Sequence, residues 1–254
     1  VEINDYLFYE TEKGRLYCGD ACAILPLIEA ESVGLVFTSP PYNVGVAYDT
    51  VSDDLPLDEY LRFIDNVFTR CIDLLVPGGH IVINVANTSR QPYTPLSDYI
   101  STMLCKKITM KGEIIWDKQN ITYRTAWGSW RSQNAPSLRD QHEYLLVFRK
   151  DGSREGEPDI SRDEFVEFTR SIWRVSPESV RKHPAPFPVR LAKRVVKLYA
   201  FPGEVVLDPF IGSGTTAVAC EQLGRRWIGI EISEKYCALS RDRIRAVADQ
   251  LSLF

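Results

Sequence analysis

A set of short apolar runs, each too continuous to be a half-exposed strand, constrains this chain more than any other feature. They are Val33-Gly-Leu-Val-Phe-Thr38, His80-Ile-Val-Ile-Asn-Val85, Glu113-Ile-Ile-Trp116, His142 to Phe148, Glu204 to Asp208 and Trp227 to Glu231. A strand with one wet face alternates polar and apolar residues, whereas a nearly unbroken run is a strand covered on both faces. Between the first two runs, Leu61, Ile64, Phe68, Ile72 and Leu75 recur at three- and four-residue spacing, the stripe of an amphipathic helix. Pro77-Gly78-Gly79 is expected to end that helix and turn the chain into the next strand. Ser233 is placed to cap a last helix running towards Gln250, with Glu234 in its first turn. Strands alternating with helices predict an α/β fold, an open and mostly parallel sheet covered by helices. Two stretches break the pattern: Lys118 to Arg139 has no clear period, and Asp151 to Lys182 is charged and expected to be weakly structured. Loops of that length in a compact domain tend to be functional or disordered.

At 254 residues the chain suits a single domain over 1–254, and 44% hydrophobic with 25% charged residues is an ordinary globular composition. No apolar run approaches the roughly 18 residues of a membrane span, so no membrane partner is expected. Val1 to Glu12 is polar and acidic, unlike a secretory signal. The six cysteines form no Cys-x-x-Cys pair and only three histidines accompany them, so no metal site is expected. They read as small hydrophobes of a reducing, cytoplasmic compartment. A net charge of −4 argues against nucleic acid, but its distribution does not. Residues 1–65 carry three bases against thirteen acids, 106–150 nine against four, and 170–200 eight against one. One face can then meet phosphates while the molecule stays acidic. Arg190 to Lys197 reads instead as a solvated helix face.

Val205-Val-Leu-Asp-Pro-Phe-Ile-Gly-Ser-Gly-Thr-Thr216 is a strand, a glycine turn and a helix start. Gly212 and Gly214 let backbone approach a ligand that faces the helix N-terminus. Glu231 ends the next strand, where a carboxylate accepts both hydroxyls of a ribose, and with Asp208 this indicates a nucleoside cofactor. A phosphate-binding P-loop would carry Lys-Ser or Lys-Thr where Thr215-Thr216 stands. A dinucleotide site stays open, because Gly212-x-Gly214-x-x-Ala217 meets the loose dehydrogenase pattern.

Thr38-Ser39-Pro40-Pro41-Tyr42-Asn43 follows a buried run at its carboxyl end, where open α/β sheets hold their ligands. Two prolines fix an extended turn and expose the carbonyls beside them, and Tyr42 adds an aromatic face. Alone, the segment reads equally well as a proline-stiffened surface loop. Together with the glycine loop it resembles the amino-methyltransferases of DNA, whose catalytic motif is Asp, Asn or Ser, then Pro-Pro and an aromatic residue. Its position ahead of Asp208-Pro-Phe-Ile-Gly-Ser-Gly214 is similar to the circularly permuted β group of that family. Cys18-Gly-Asp20, Gln141-His-Glu-Tyr-Leu-Leu-Val-Phe148 and His183-Pro-Ala-Pro-Phe-Pro188 extend the resemblance over nearly the whole chain.

The resemblance implies a Rossmann-like, seven-stranded class I methyltransferase sheet, circularly permuted, with a small target-recognition insert. It implies S-adenosyl-L-methionine as cofactor, with Asp20 at the adenine, Glu231 at the ribose, and Gly212, Ser213, Gly214, Thr215 and His183 towards the methionine part. Asp208 and Phe210 complete the cofactor set. Ser39, Pro40, Pro41 and Tyr42 are the implied catalytic residues, acting on a base flipped from duplex DNA. Ser39 at the head of the motif mostly accompanies cytosine N4 in the family, and Asp or Asn mostly adenine N6. A serine hydroxyl both accepts and donates, so it can accept from the amine and donate towards the neighbouring ring nitrogen.

The implied partner is double-stranded DNA, in a restriction-modification setting whose cognate endonuclease acts separately; a homodimer is left open. The interval Arg149 to Lys182, where the family places target recognition, is short. The loop Lys118 to Asn134 is better equipped, with Arg and Lys for guanine, Asn and Gln for adenine, and tryptophans to stack or wedge. Asn43, Lys118, Arg124, Trp127, Trp130, Arg131 and Arg139 are therefore the expected DNA contacts.

Overall fold

In chain order the elements are β1 (Leu7–Glu10), β2 (Gly14–Cys18), α1 (Ala21–Ile24), β3 (Val33–Thr38), β4 (Ala47–Tyr48), β5 (Val51–Ser52), α2 (Leu57–Leu74), β6 (Leu75–Val85), α3 (Leu96–Leu104), β7 (Thr109–Asp117), β8 (His142–Arg149), α4 (Arg162–Phe168), β9 (Ile172–Arg174), α5 (Val189–Tyr199), β10 (Val205–Asp208), α6 (Thr215–Leu223), β11 (Arg226–Glu231) and α7 (Glu234–Leu251). The computed structural model describes residues 1–43, 47–48, 51–52, 54–87, 93–119, 133–134, 136, 138, 141–178 and 187–251. A nine-stranded sheet runs β1-β2-β11-β10-β3-β6-β8-β7-β9, and β4 and β5 form a separate hairpin. The expected seven strands are its centre, from β2 to β7, with β1 and β9 added at the two edges. From β2 through β6 neighbours are parallel, and only β8 runs against both of its neighbours.

The continuous runs have a simple cause. Leu35 and Phe37 of β3 join a cluster with Leu191 and Val195 of α5 and Ala217 of α6, while Val36 joins one with Ile64 and Phe68 of α2. Alternate side chains enter opposite cores, so the strand tolerates a polar residue only where a partner waits, as Thr38 finds in Asp208.

Three elements differ from expectation. Helix α2 stops at Leu74, and Pro77-Gly78-Gly79 lies inside β6 rather than in a turn before it. Leu75 is already extended and buried, a register shift opposite β3 absorbs the irregularity, and Gly78 takes φ 77°. The Asp151–Lys182 interval contains α4, opened by a reciprocal Ser161–Glu164 capping box, and the edge strand β9, anchored by the buried Trp173. The basic α5 is not simply solvated: Arg194 is buried, pairs with Glu167 and lies over the rings of Phe168 and Trp173, and Lys197 pairs with Glu164. Cys71, Cys220 and Cys237 are buried as expected of small hydrophobes, whereas Cys105 is exposed. Among the described residues no helix is long and apolar enough to cross a membrane.

Candidate active site

The strand order reverses between β10 and β3, and an open sheet leaves a crevice at such a point, beyond the carboxyl ends of its strands. A cavity of about 330 Å³ lies there. Asp20, just past β2, Glu231, closing β11, the loop 209–213 after β10 and Ser39 to Asn43 after β3 all line it.

The glycine loop is held from beneath and behind. Asp208 is fully buried; it accepts from Thr38 Oγ1 and Thr216 Oγ1 at 2.6 Å each and from the Phe210 amide at 3.1 Å. Burial raises its carboxyl to about 6 against those hydrogen bonds. Gly212 (φ 52°) donates its amide to Glu231 Oε2 at 3.0 Å, and Ser233 donates to Oε1 at 2.9 Å. Glu231 thus shapes the loop while it faces the cavity, and burial pushes its carboxyl up to about 7. On the outer side Ser240 Oγ donates to the Gly212 carbonyl at 2.6 Å and Arg243 to Ser213 Oγ at 2.8 Å. Gly214 caps α6 at φ 81°, where a Cβ would sit 3.0 Å from Ser240 Oγ. Asp20 caps α1 by accepting from the Cys22 amide at 2.9 Å.

The cavity's other end is a polar cluster under the proline turn. Tyr60 of α2 donates its hydroxyl to the Pro41 carbonyl at 2.8 Å, fixing the turn. The hydroxyls of Ser39 and Tyr42 are 2.8 Å apart, and Tyr42 donates to Glu143 Oε2 at 3.1 Å. Asn84, near the end of β6, donates Nδ2 to the same oxygen at 2.6 Å, and Lys118 pairs with the other oxygen of Glu143. Burial, and then the Glu143 carboxylate, raise the Tyr42 hydroxyl well above its usual 10, so it stays protonated.

The arrangement fits a nucleoside cofactor carrying a positive centre. Two acids, Asp20 and Glu231, stand at the ends of neighbouring strands, the glycine loop lines the cavity, and Phe63, Phe210, Ile232 and Tyr236 supply apolar walls. Among the described residues no His, Cys, Asp and Glu cluster suits a metal. Residues 33–242 match the family model described as DNA methylase, of the N6/N4 type. The chain belongs to this family of DNA amino-methyltransferases.

Relatives of this DNA methylase agree. It is 29% identical over 255 residues, 93% of this chain and 84% of the other, to the DNA adenine methyltransferase YhdJ of Escherichia coli K12. It resembles the Thermus thermophilus protein TTHA0409, assigned as a DNA modification methylase, in its complex with S-adenosyl-L-methionine: 31% identity, TM-score 0.75, 92% of this chain and 93% of that one. It shares its fold, at 19% identity and TM-score 0.74 over 96% and 94% of the two chains, with the cytosine-N4-specific PvuII DNA methyltransferase. S-adenosyl-L-methionine is the methyl donor of this enzyme.

The structure brings together Ser39, Pro40, Pro41, Tyr42, Asp20, Phe210, Gly212, Ser213, Thr215 and Glu231 on the cavity wall. Asp208 and Gly214 lie behind it, where one braces the loop and the other packs on α7. Two residues expected at DNA have internal work. The Asn43 side chain clamps the Leu55 backbone through two 2.7 Å hydrogen bonds, and Lys118 is the partner of Glu143. His183, Arg124, Trp127, Trp130, Arg131 and Arg139 lie outside the described residues. Tyr60, Asn84, Glu143 and Arg243 escaped the sequence reading. Asn84 and Glu143 carried a signal, a polar or ionisable residue inside an otherwise apolar strand run, which burial tolerates only with partners.

Proposed function

We propose that this DNA methylase methylates the exocyclic N4 amine of cytosine in duplex DNA, on a base flipped into the cavity beside Ser39 and Tyr42. The observation that carries the reading is the head of the proline turn: Ser39 lines the same cavity as Asp20, Glu231 and the glycine loop. The amine of cytosine is a poor nucleophile, because its lone pair is delocalised into the ring. Ser39 Oγ and the Pro40 carbonyl accept the amine's hydrogens, which turns the lone pair out of the ring towards the donor. Tyr42 stacks on the flipped ring. S-adenosyl-L-methionine supplies a methyl group on a sulfonium, a leaving group that departs neutral, so the protein's task is mostly alignment. Asp20 and Glu231 hold the nucleoside, and Gly212 to Thr215 approach the methionine part.

The stretch 118–139 is the proposed recognition segment, in a restriction-modification setting. Adenine N6 is the second reading, favoured by the 29% identity to an adenine methyltransferase. Nucleoside mass spectrometry of DNA methylated by the purified enzyme decides between them. N4-methylcytosine is expected, and N6-methyladenine alone would refute the cytosine assignment.

A further inference from the structure

Among the described residues Glu143 is the acid built into the cluster beneath the catalytic turn, and its charge biases the direction of the hydrogen bonds around it. A carboxylate paired with Lys118 only accepts. The single hydrogen of the Tyr42 hydroxyl has three acceptors in reach, Ser39 Oγ at 2.8 Å, Glu143 Oε2 at 3.1 Å and the Asn84 carbonyl at 3.5 Å, and the charged carboxylate is the strongest of them, so it draws the hydrogen. The Tyr42 oxygen is then an acceptor, and the Ser39 hydroxyl 2.8 Å from it is the donor. Asn84 strengthens the arrangement, giving Nδ2 to Glu143 at 2.6 Å and reaching the Tyr42 oxygen at 3.0 Å and Ser39 Oγ at 3.4 Å.

We propose that Glu143, held by Lys118 and Asn84, is a positioning residue that acts through Tyr42 to keep the Ser39 hydroxyl hydrogen turned away from the substrate, making Ser39 an acceptor-only group. A serine free to rotate can direct its hydrogen at the amine's lone pair, the electrons that must attack the methyl group, or at the ring nitrogen beside it. With its hydrogen committed to Tyr42, Ser39 presents only oxygen lone pairs, as a carboxylate would. The serine therefore does not donate to the ring nitrogen, contrary to what its hydroxyl alone suggests, and its chemistry is that of the aspartate found in other members of the family. The proposal rests on Ser39 accepting from the amine.

The test is the rate of methyl transfer from tritiated S-adenosylmethionine to amplified, unmethylated genomic DNA, with kcat, KM for DNA and Kd for cofactor measured separately. Tyr42→Phe keeps the ring but removes the hydroxyl, and kcat is expected to fall about tenfold, the scale of one oriented hydrogen bond, with KM and Kd within about twofold. Glu143→Gln offers a donor to the Tyr42 oxygen, reverses the chain so that Tyr42 donates to Ser39, and is expected to cost more. On a Ser39→Ala background Tyr42→Phe should cost less than about twofold, because the hydroxyl it orients is gone. If Ser39→Ala itself retains the parent kcat, the amine-acceptor reading fails and the relay with it. If Ser39→Ala is slow but Tyr42→Phe costs the same on both backgrounds, only the relay fails. An unchanged kcat for Tyr42→Phe, or a loss carried by cofactor Kd or DNA KM, overturns it equally.

Discussion

Lowering the pH should weaken cofactor binding through one carboxyl. Glu231 faces the cavity with its oxygens already receiving the Gly212 and Ser233 amides, and burial raises it to about 7. On the proposed assignment, ribose hydroxyls donate to the ionised form, so binding would expel whatever proton the carboxyl holds. With a pKa of about 7, half the apo molecules are protonated at pH 7, so the apparent Kd is about twofold weaker there and about tenfold weaker at pH 6 than at pH 8. Asp208, raised to about 6, does not line the cavity and keeps its own partners, so the slope should correspond to one proton. Calorimetry at pH 6, 7 and 8 in buffers of different ionisation enthalpy reads both the affinity and the protons released. The cofactor's own α-amino group titrates near pH 8. Glu231→Gln serves as the control, since the ligand's titration is common to both proteins and cancels. A Kd that is flat from pH 8 to pH 6 after that subtraction, or an equal slope in Glu231→Gln, would refute the assignment of Glu231 to the ribose.

The same carboxyl ionises later in the folded chain than in the unfolded one, so its contribution to apo stability is present below about pH 4.5 and is lost as the pH rises to about 7. Thermal melts should accordingly show the stability difference between the parent and Glu231→Gln shifting by about 1 kcal/mol in the parent's favour between pH 8 and pH 6; His80, pushed down to about 4, and Asp208, raised to about 6, titrate in both proteins and cancel. Gly229→Ala would drive a Cβ to 2.3 Å from Ile211 Cδ1, so the Ile211 side chain must swing aside, and cofactor binding should weaken by about twofold to fivefold in the same calorimeter. Arg225 is fully buried, paired with Asp159 and donating to the Leu223 and Ala200 carbonyls at 2.9 Å each. Denaturant unfolding of Arg225→Ala should show about 3 kcal/mol lost, and a loss below about 1 kcal/mol would mean that the pair contributes little. Alanine at Trp127 and Arg131 should reduce sequence-selective DNA retention in gel shifts while cofactor Kd stays constant; a change in cofactor Kd alone would remove 118–139 from recognition.

Much of this was written locally. Most of the unbroken apolar runs are strands covered on both faces, because alternate residues enter two separate cores, as β3 does with Leu35, Val36 and Phe37; Glu113–Trp116 in β7 differs, burying Ile114 and Trp116 while Glu113 stays exposed. The proline turn and the glycine loop were legible for the same reason: proline and glycine determine backbone shape within a few residues, whatever surrounds them. Element boundaries were less so, since Pro77-Gly78-Gly79 looks like a turn until Leu75 is seen buried against β3. What escaped was every feature that depends on the order of strands in the sheet. Tyr42 and Glu143 are 101 residues apart, and Asn84 and Glu143 are 59 apart. They meet because β8 inserts antiparallel between β6 and β7, which carries its first residues to the carboxyl ends of its neighbours. Asp208 shows the converse: its position at the end of β10 suggested a ligand contact, but Thr38 on the adjacent strand and Thr216 on α6 draw its carboxylate inward. Periodicity records which side of an element is buried. Which residue waits on that side is settled only by the packing of distant segments, because hydrogen bonds and ion pairs act over a few ångströms of space and take no account of distance along the chain.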